Sequence, residues 1–160
     1  MDRSADLRAV ARVVVDEIER AGAPGRIALT LPDTAVMSDI DPDAFGILCR
    51  NLVENALRHG AENAPVDVTL TGEGQLIVAN DGPVLPRETL DCLTARFERA
   101  NASTDGSGLG LAIVAAIADR IGSPLLLESP RPGGSSGFQA SLRLPTDVSD
   151  TFSRDAMRRT

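Results

Sequence analysis

The chain has no tryptophan, no tyrosine and only four phenylalanines among its 160 residues. With so few aromatic platforms for base stacking, and a net charge of -7 opposing a phosphate backbone, nucleic acid is excluded as a partner. Cysteine and histidine are scarce too: Cys49 and Cys92 lie far apart without a CxxC spacing, and His59 is the single histidine. Neither a disulfide framework nor a zinc site is indicated, so a reducing, cytoplasmic setting is expected. Long apolar runs are also missing. The longest, Leu111 to Ala118, falls far short of the roughly 20 residues that cross a bilayer. The opening MDRSADLRAV carries charge without an apolar stretch behind it, so it does not read as a signal peptide. No direct membrane contact is expected, and any anchor of a parent protein would lie outside this chain.

What is present suffices for one domain of ordinary size, since 42% hydrophobic content supports a core without disulfides or metal. By itself such a domain is expected to be monomeric. Leu7, Val10, Val14 and Ile18 recur at helical spacing, which predicts a helix over 6–20, stopped by Gly22 and Pro24. Short β-type runs follow at 26–31 and 35–38. A second helix over 41–59 opens with Asp-Pro, carries Phe45, Leu48, Leu52 and Ala56 on one face and ends at Gly60. Runs at 66–71 and 75–80 flank Gly72-Glu73-Gly74, the chemistry of a hairpin. Residues 86–96 read as helical, 98–106 as a mobile lid, and 108–121 as a third apolar helix. Strands at 125–128 and 137–144 come last, before a frayed tail. Strands and helices do not alternate strictly, so the fold predicted is a two-layer α/β sandwich with a mixed sheet rather than a doubly wound parallel one.

Three stretches carry chemistry. In NLVENALRH, residues 51–59, Asn51, Asn55, Arg58 and His59 fall on one helical stripe beside the apolar face. An amide oxygen can ligate a hard cation, its NH2 can bond to phosphate, and arginine offers a fork of donors. A helix with polar residues at its solvent border produces the same stripe. In GSGLGLAIV, residues 106–114, glycines at alternate positions run straight into an apolar helix. This lets backbone N–H groups approach an anion closely, although a plain glycine-rich loop also fits. No Gly-Lys-Ser/Thr follows, so it is not a Walker A loop. In VANDGPVLP, residues 78–86, a strand ends in a polar pair before Gly82 and Pro83, which alone is only a turn.

In this order the three resemble the boxes of the GHKL ATPase superfamily, and within it the catalytic domain of sensor histidine kinases. NLVENALRH resembles the N box, VANDGPVLP the G1 box, RFER at 96–99 the F box and GSGLGLAIV the G2 box, with Gly133 to Phe138 a weak G3 element. The resemblance spans roughly residues 6 to 145. It implies a mixed sheet covered on one face by about three helices, the Bergerat fold, and Mg-ATP as ligand. It further implies that Asn55 coordinates the magnesium ion, that Asn51 and Arg58 contact phosphate, and that His59 sits near the ribose or phosphates. Asn80 takes the place of the residue that accepts from the adenine amino group, with Gly82 making room for the base and Leu85 beside it. Gly106, Ser107, Gly108, Leu109, Gly110 and Leu111 would hold the phosphates, with Phe97 a packing anchor and Arg99 a phosphate contact in the lid.

The chain departs from the family pattern at Asn80, where aspartate is usual, and at Val84, where the G1 box has its second glycine. Hydrolytic and serine-kinase members place a glutamate four residues before the metal-binding asparagine. Asn51 stands there instead and cannot take a proton at neutral pH. That favours a histidine acceptor, which needs no base, and His59, inside the N box, is not suited to be it. The expectation is therefore a kinase domain acting on a separate dimerisation domain and, through it, on a response regulator. Residues 1–24 would be a linker helix following that domain, 25–145 the ATP-binding domain and 146–160 a tail. A freestanding anti-sigma-factor-type serine kinase, suggested by length, and a degenerate nucleotide-binding interaction module, suggested by Asn80 and Val84, are the alternatives.

Overall fold

The computed structural model describes residues 4–22, 25–60, 64–90 and 109–146. The expected lid at 98–106, most of the predicted helix at 86–96 and the tail from 147 lie outside them, apart from a helical turn at 87–90. The chain enters through β1 (Ala5–Asp6) and passes directly into α1 (Leu7–Gly22). Leu7, Ala11, Val14, Val15 and Ile18 form the buried face of α1, as the spacing predicted. Asp6 is not the first helical residue expected but the residue that fastens the helix start. Its Oδ1 accepts from the N–H groups of Arg8 and Val36, both at 3.1 Å, while the Arg8 guanidinium grips both carboxylate oxygens. The Arg8 side-chain bonds, with the two backbone donors, hold the Asp6 carboxyl below its usual range against a smaller desolvation effect. Val36 leads into β3 (Met37–Ser38), which pairs antiparallel with β1; the strand expected at 35–38 is shorter by two residues.

After β2 (Ile27–Thr30), the chain crosses to the main sheet's next strand through α2 (Pro42–His59). Asp41 Oδ1 accepts from the Asp43 N–H at 2.9 Å and Pro42 opens the helix, the N-terminal arrangement that Asp-Pro predicted. Phe45, Leu48, Cys49, Leu52, Val53 and Ala56 are buried. This wide apolar face lets α2 pack against β4 (Val66–Leu70) and β5 (Gln75–Asn80) below and against α1 and α3 (Leu109–Arg120) on either side. Arg50 of α2 pairs with Glu17 of α1.

The main sheet is mixed, in the order β2, β4 (Val66–Leu70), β5 (Gln75–Asn80), β7 (Phe138–Arg143), β6 (Leu126–Glu128), with only β2 and β4 parallel. β4 and β5 form the hairpin expected at Gly72-Glu73-Gly74. Register sets Val66 opposite Asn80, Val68 opposite Val78 and Leu70 opposite Leu76, while Asn80 in turn faces Phe138 of β7. All seven of these residues are buried, so this is the face that meets the helices, and Asn80 is the one polar member of the series. α3 (Leu109–Arg120) completes the helical layer. Layering and mixed sheet are those predicted from the element order.

Candidate functional site

Two buried amides mark the site. Asn55 projects from α2 into the interior and is 3% exposed, and Asn80, at the end of β5, is 1% exposed. Neither Asn55 Oδ1 nor Asn55 Nδ2 has a hydrogen-bond partner among the described residues, and the same holds for Asn80 Oδ1. A buried polar atom left unpaired costs about 1–3 kcal/mol. Three such atoms, on residues taken from the two motifs with chemical promise, indicate a ligand that completes them.

The end of α2 meets the end of β5. Gly60, which ends α2, packs so closely on Asn80 that a Cβ there would lie 3.3 Å from both Asn80 Cβ and Nδ2, and 2.8 Å from Ala56 O. Five residues back along the helix, roughly 7.5 Å of rise, stands Asn55. The orphan groups thus sit on two elements, α2 and β5, that pack against each other. Asn80 Nδ2 donates to Asp81 O at 3.1 Å, which leaves the carbonyl end of the amide as the open acceptor. Asp81 itself points away and is exposed, as expected of adjacent residues at a strand end.

The rest of the N-box stripe is graded rather than uniform. Asn51 is half-buried and its Nδ2 donates to Ile47 O of its own helix at 2.8 Å, while Arg58 is exposed. His59 closes α2. Gly82 lies beyond β5 with its carbonyl accepting from the Gly137 N–H at 2.8 Å. Leu85 donates its N–H to Ser129 Oγ at 2.8 Å and packs on the core. Val84, in the place of a glycine, is 46% exposed, so its side chain stands in solvent rather than filling the interior. Leu109 and Gly110 open α3, and Leu111 is fully buried in the core. Gly106, Ser107, Gly108, Phe97 and Arg99 lie outside the described residues. Sequence reading missed the Ser129–Leu85 and Gly137–Gly82 bonds, because nothing local to either segment signals a partner so far along the chain.

Electrostatics around α2 separate inert from useful groups. Cys49 is wholly buried, and desolvation pushes its thiol up to about 12, so it packs as an apolar residue. Glu54 is exposed and faces Arg50 at 3.9 Å.

Residues 40–147 match the family described as histidine kinase-, DNA gyrase B-, and HSP90-like ATPase. The chain is 33% identical over 127 residues to the signal transduction histidine-protein kinase AfsQ2 of Streptomyces coelicolor, a match covering 77% of this chain and 23% of that protein. It is 36% identical over 109 residues to the sensor protein QseC of Escherichia coli K12, covering 68% of this chain and 24% of that protein. The chain thus spans about a quarter of the length of these curated relatives. Among solved structures, the mycobacterial sensor histidine kinase MprB shares the fold with a TM-score of 0.72 at 24% identity, covering 91% of this chain and 98% of that one. The histidine kinase domain of the E. coli osmosensor EnvZ gives 0.65 at 28% identity, covering 89% and 88%. With a family match over most of the chain and the matching fold, this protein belongs to the histidine kinase-, DNA gyrase B- and HSP90-like ATPases, as an ATP-binding catalytic domain of the sensor histidine kinase type.

Proposed function

We propose that the chain binds Mg-ATP and transfers the γ-phosphoryl group to a histidine on a separate dimerisation domain, from which a response regulator is served. The observation that carries this reading is the pair of buried, incompletely partnered amides, Asn55 and Asn80. Asn55 Oδ1 is the protein's ligand to the metal and its Nδ2 a donor to phosphate. Among the described residues no group of three His, Cys, Asp or Glu side chains is placed to hold a metal ion. Magnesium takes few protein ligands, and the Asn55 amide oxygen would suit it. Its position near the C-terminal end of α2 also favours a cation, because the carbonyl end of a helix carries partial negative charge. Magnesium, when bound, neutralises charge on the phosphates.

Asn80 Oδ1 accepts from the adenine amino group, Asn51 and Arg58 serve the phosphates, and the backbone N–H groups of the first turn of α3 serve the same anion. Asn51 also decides the acceptor. An amide cannot remove a proton at neutral pH, and Glu54 faces outward beside Arg50, so the described residues of the N box offer water or a serine hydroxyl no base. A neutral imidazole, with a pKa near ~6.5, needs none. His59 lies on the same helix, α2, as Asn55, and is read as a site residue rather than the acceptor. In this layout residues 1–24 link to the dimerisation domain, 25–145 form the catalytic domain and 146–160 a tail, all in the cytoplasm.

The test is incubation with γ-labelled ATP, with and without a supplied dimerisation domain carrying the acceptor histidine. Acid-labile label on the supplied domain and none on this chain is expected. Acid-labile label on this chain alone, or rapid release of inorganic phosphate, refutes the proposal.

A further inference from the structure

The turn-rich stretch between β6 and β7 is stitched to the end of β5 by bonds that the proposed chemistry does not use. Ser129 Oγ accepts from Leu85 N–H at 2.8 Å and donates to Gly137 O at 2.5 Å. The Arg131 N–H donates to Ser136 O at 3.0 Å and the Gly134 N–H to Arg131 O at 2.9 Å, closing a turn that lays the Arg131 side chain across Gly137. Gly137 adopts a φ of +87°, and a Cβ there would lie 2.8 Å from both Arg131 Cγ and Cδ and collide with Asn80 O. Only glycine lets the arginine stem and the end of β5 come this close.

The Arg131 guanidinium then spans two carboxylates, Asp67 on β4 at 3.1 Å and Asp81 at 3.4 Å. Asp67 alternates with the buried Val66 and Val68, so it lies on the sheet face away from the helices, and Asp81 points away from Asn80. The fork therefore grips the end of β5 from behind the site. What it holds is Asp81, whose backbone carbonyl receives Asn80 Nδ2. That bond decides which end of the Asn80 amide faces the ligand: with the NH2 committed, Oδ1 is the atom presented.

We propose that Arg131, through the Asp67–Arg131–Asp81 bridge, is a positioning residue that fixes the Asp81 backbone and thereby makes Asn80 a dedicated acceptor, selecting a purine that carries an exocyclic amine. The proposal rests on the reading of Asn80 as the base-recognising residue. Affinities of the full chain for Mg-ATP and for the analogue with hydrogen in place of the 6-amino group are measured by calorimetry, and the ratio of the two is the readout. Arg131→Ala is expected to shrink that ratio about two- to fivefold, the range a partly exposed ion pair supports. Asp81→Asn, which keeps shape and backbone, is expected to act in the same direction and serves alone if Arg131→Ala does not fold. Arg131→Lys is expected to restore part of the ratio, by reaching one carboxylate. Equal weakening of both ligands, or an unchanged ratio, overturns the role of Arg131 if Asn80→Ala does collapse the ratio. If Asn80→Ala leaves the ratio intact, the underlying reading of Asn80 fails instead.

Discussion

Replacing Asn80 by aspartate restores the residue usual in the family and should separate affinity from stability. In the parent, the Asn80 amide is 1% exposed and spends its Nδ2 on Asp81 O at 3.1 Å. In Asn80→Asp that donor becomes a second acceptor facing a carbonyl oxygen, with no described side chain to supply a proton. The loss applies with and without nucleotide, so it falls on stability, at about 1–3 kcal/mol. The other oxygen, the open one, gains. A hydrogen bond from the adenine amine to a carboxylate contributes about 1.5–3 kcal/mol, against about 1 for a neutral amide. The difference, about 1 kcal/mol, tightens binding roughly fivefold. Burial raises the pKa of the new carboxyl, and the adenine donor favours its ionised form, so the gain is complete above that raised value and disappears as pH falls through it. Calorimetry of Mg-ATP binding at pH 8 and pH 6, beside chemical denaturation, reads all three effects. Unchanged or weaker binding at pH 8 refutes the placement of the base at Asn80. Tighter binding with no loss of stability refutes the assigned role of the Asp81 carbonyl.

Asn55→Ala should abolish Mg-dependent nucleotide binding while leaving the melting temperature unchanged or slightly raised, because it removes two unpaired buried atoms; a variant that unfolds, or binds Mg-ATP like the parent, contradicts this. Asp6 has a folded pKa below the ordinary carboxylate value of 3.8, so its contribution to stability is whole above that value and is lost as pH falls through the folded one. Asp6→Asn should therefore be less stable than the parent near neutrality, and the gap should close on acidification below about pH 4, as read by urea denaturation across pH. In a Cys92→Ser background, Cys49 should react with a small alkylating reagent at pH 8 only at the rate of global unfolding, since its thiol is buried and pushed up to about 12; rapid labelling of native protein would show that α2 opens locally.

Much of the fold was legible because local chemistry fixed it. Asp41-Pro42 and Gly60 bound α2 as they should, and Gly72-Glu73-Gly74 closes the hairpin expected there. The apolar stripe of α1 was equally plain. What sequence did not reveal was non-local. β1 is two residues long and exists because Val36 and Met37 come to meet it, so Asp6 read as the start of a helix. Nothing in the runs at 26–31 or 66–71 told that β2 and β4 pair in parallel. At the site, Asn55 and Asn80 were legible from motif order. Their being orphaned was not, since that depends on what surrounds them. Arg131 was invisible as a functional residue: it lies in a turn 50 residues from Asp81, and only the folded sheet brings the two together.

The position of β5 in the sheet bears on how the domain breathes. As the middle strand of five, with β4 and β2 on one side and β7 and β6 on the other, it is hydrogen-bonded along both edges and cannot fray without opening the whole sheet. Backbone amides around Val78 to Asn80 should accordingly be among the slowest in the molecule to exchange with deuterated water, with or without nucleotide. The end of β5 proposed to recognise the base is then a fixed reference, anchored in the part of the domain that opens only on complete unfolding. A change in affinity that leaves the fold intact has to arise along the helix ends and loops that meet this strand, where opening is local and inexpensive.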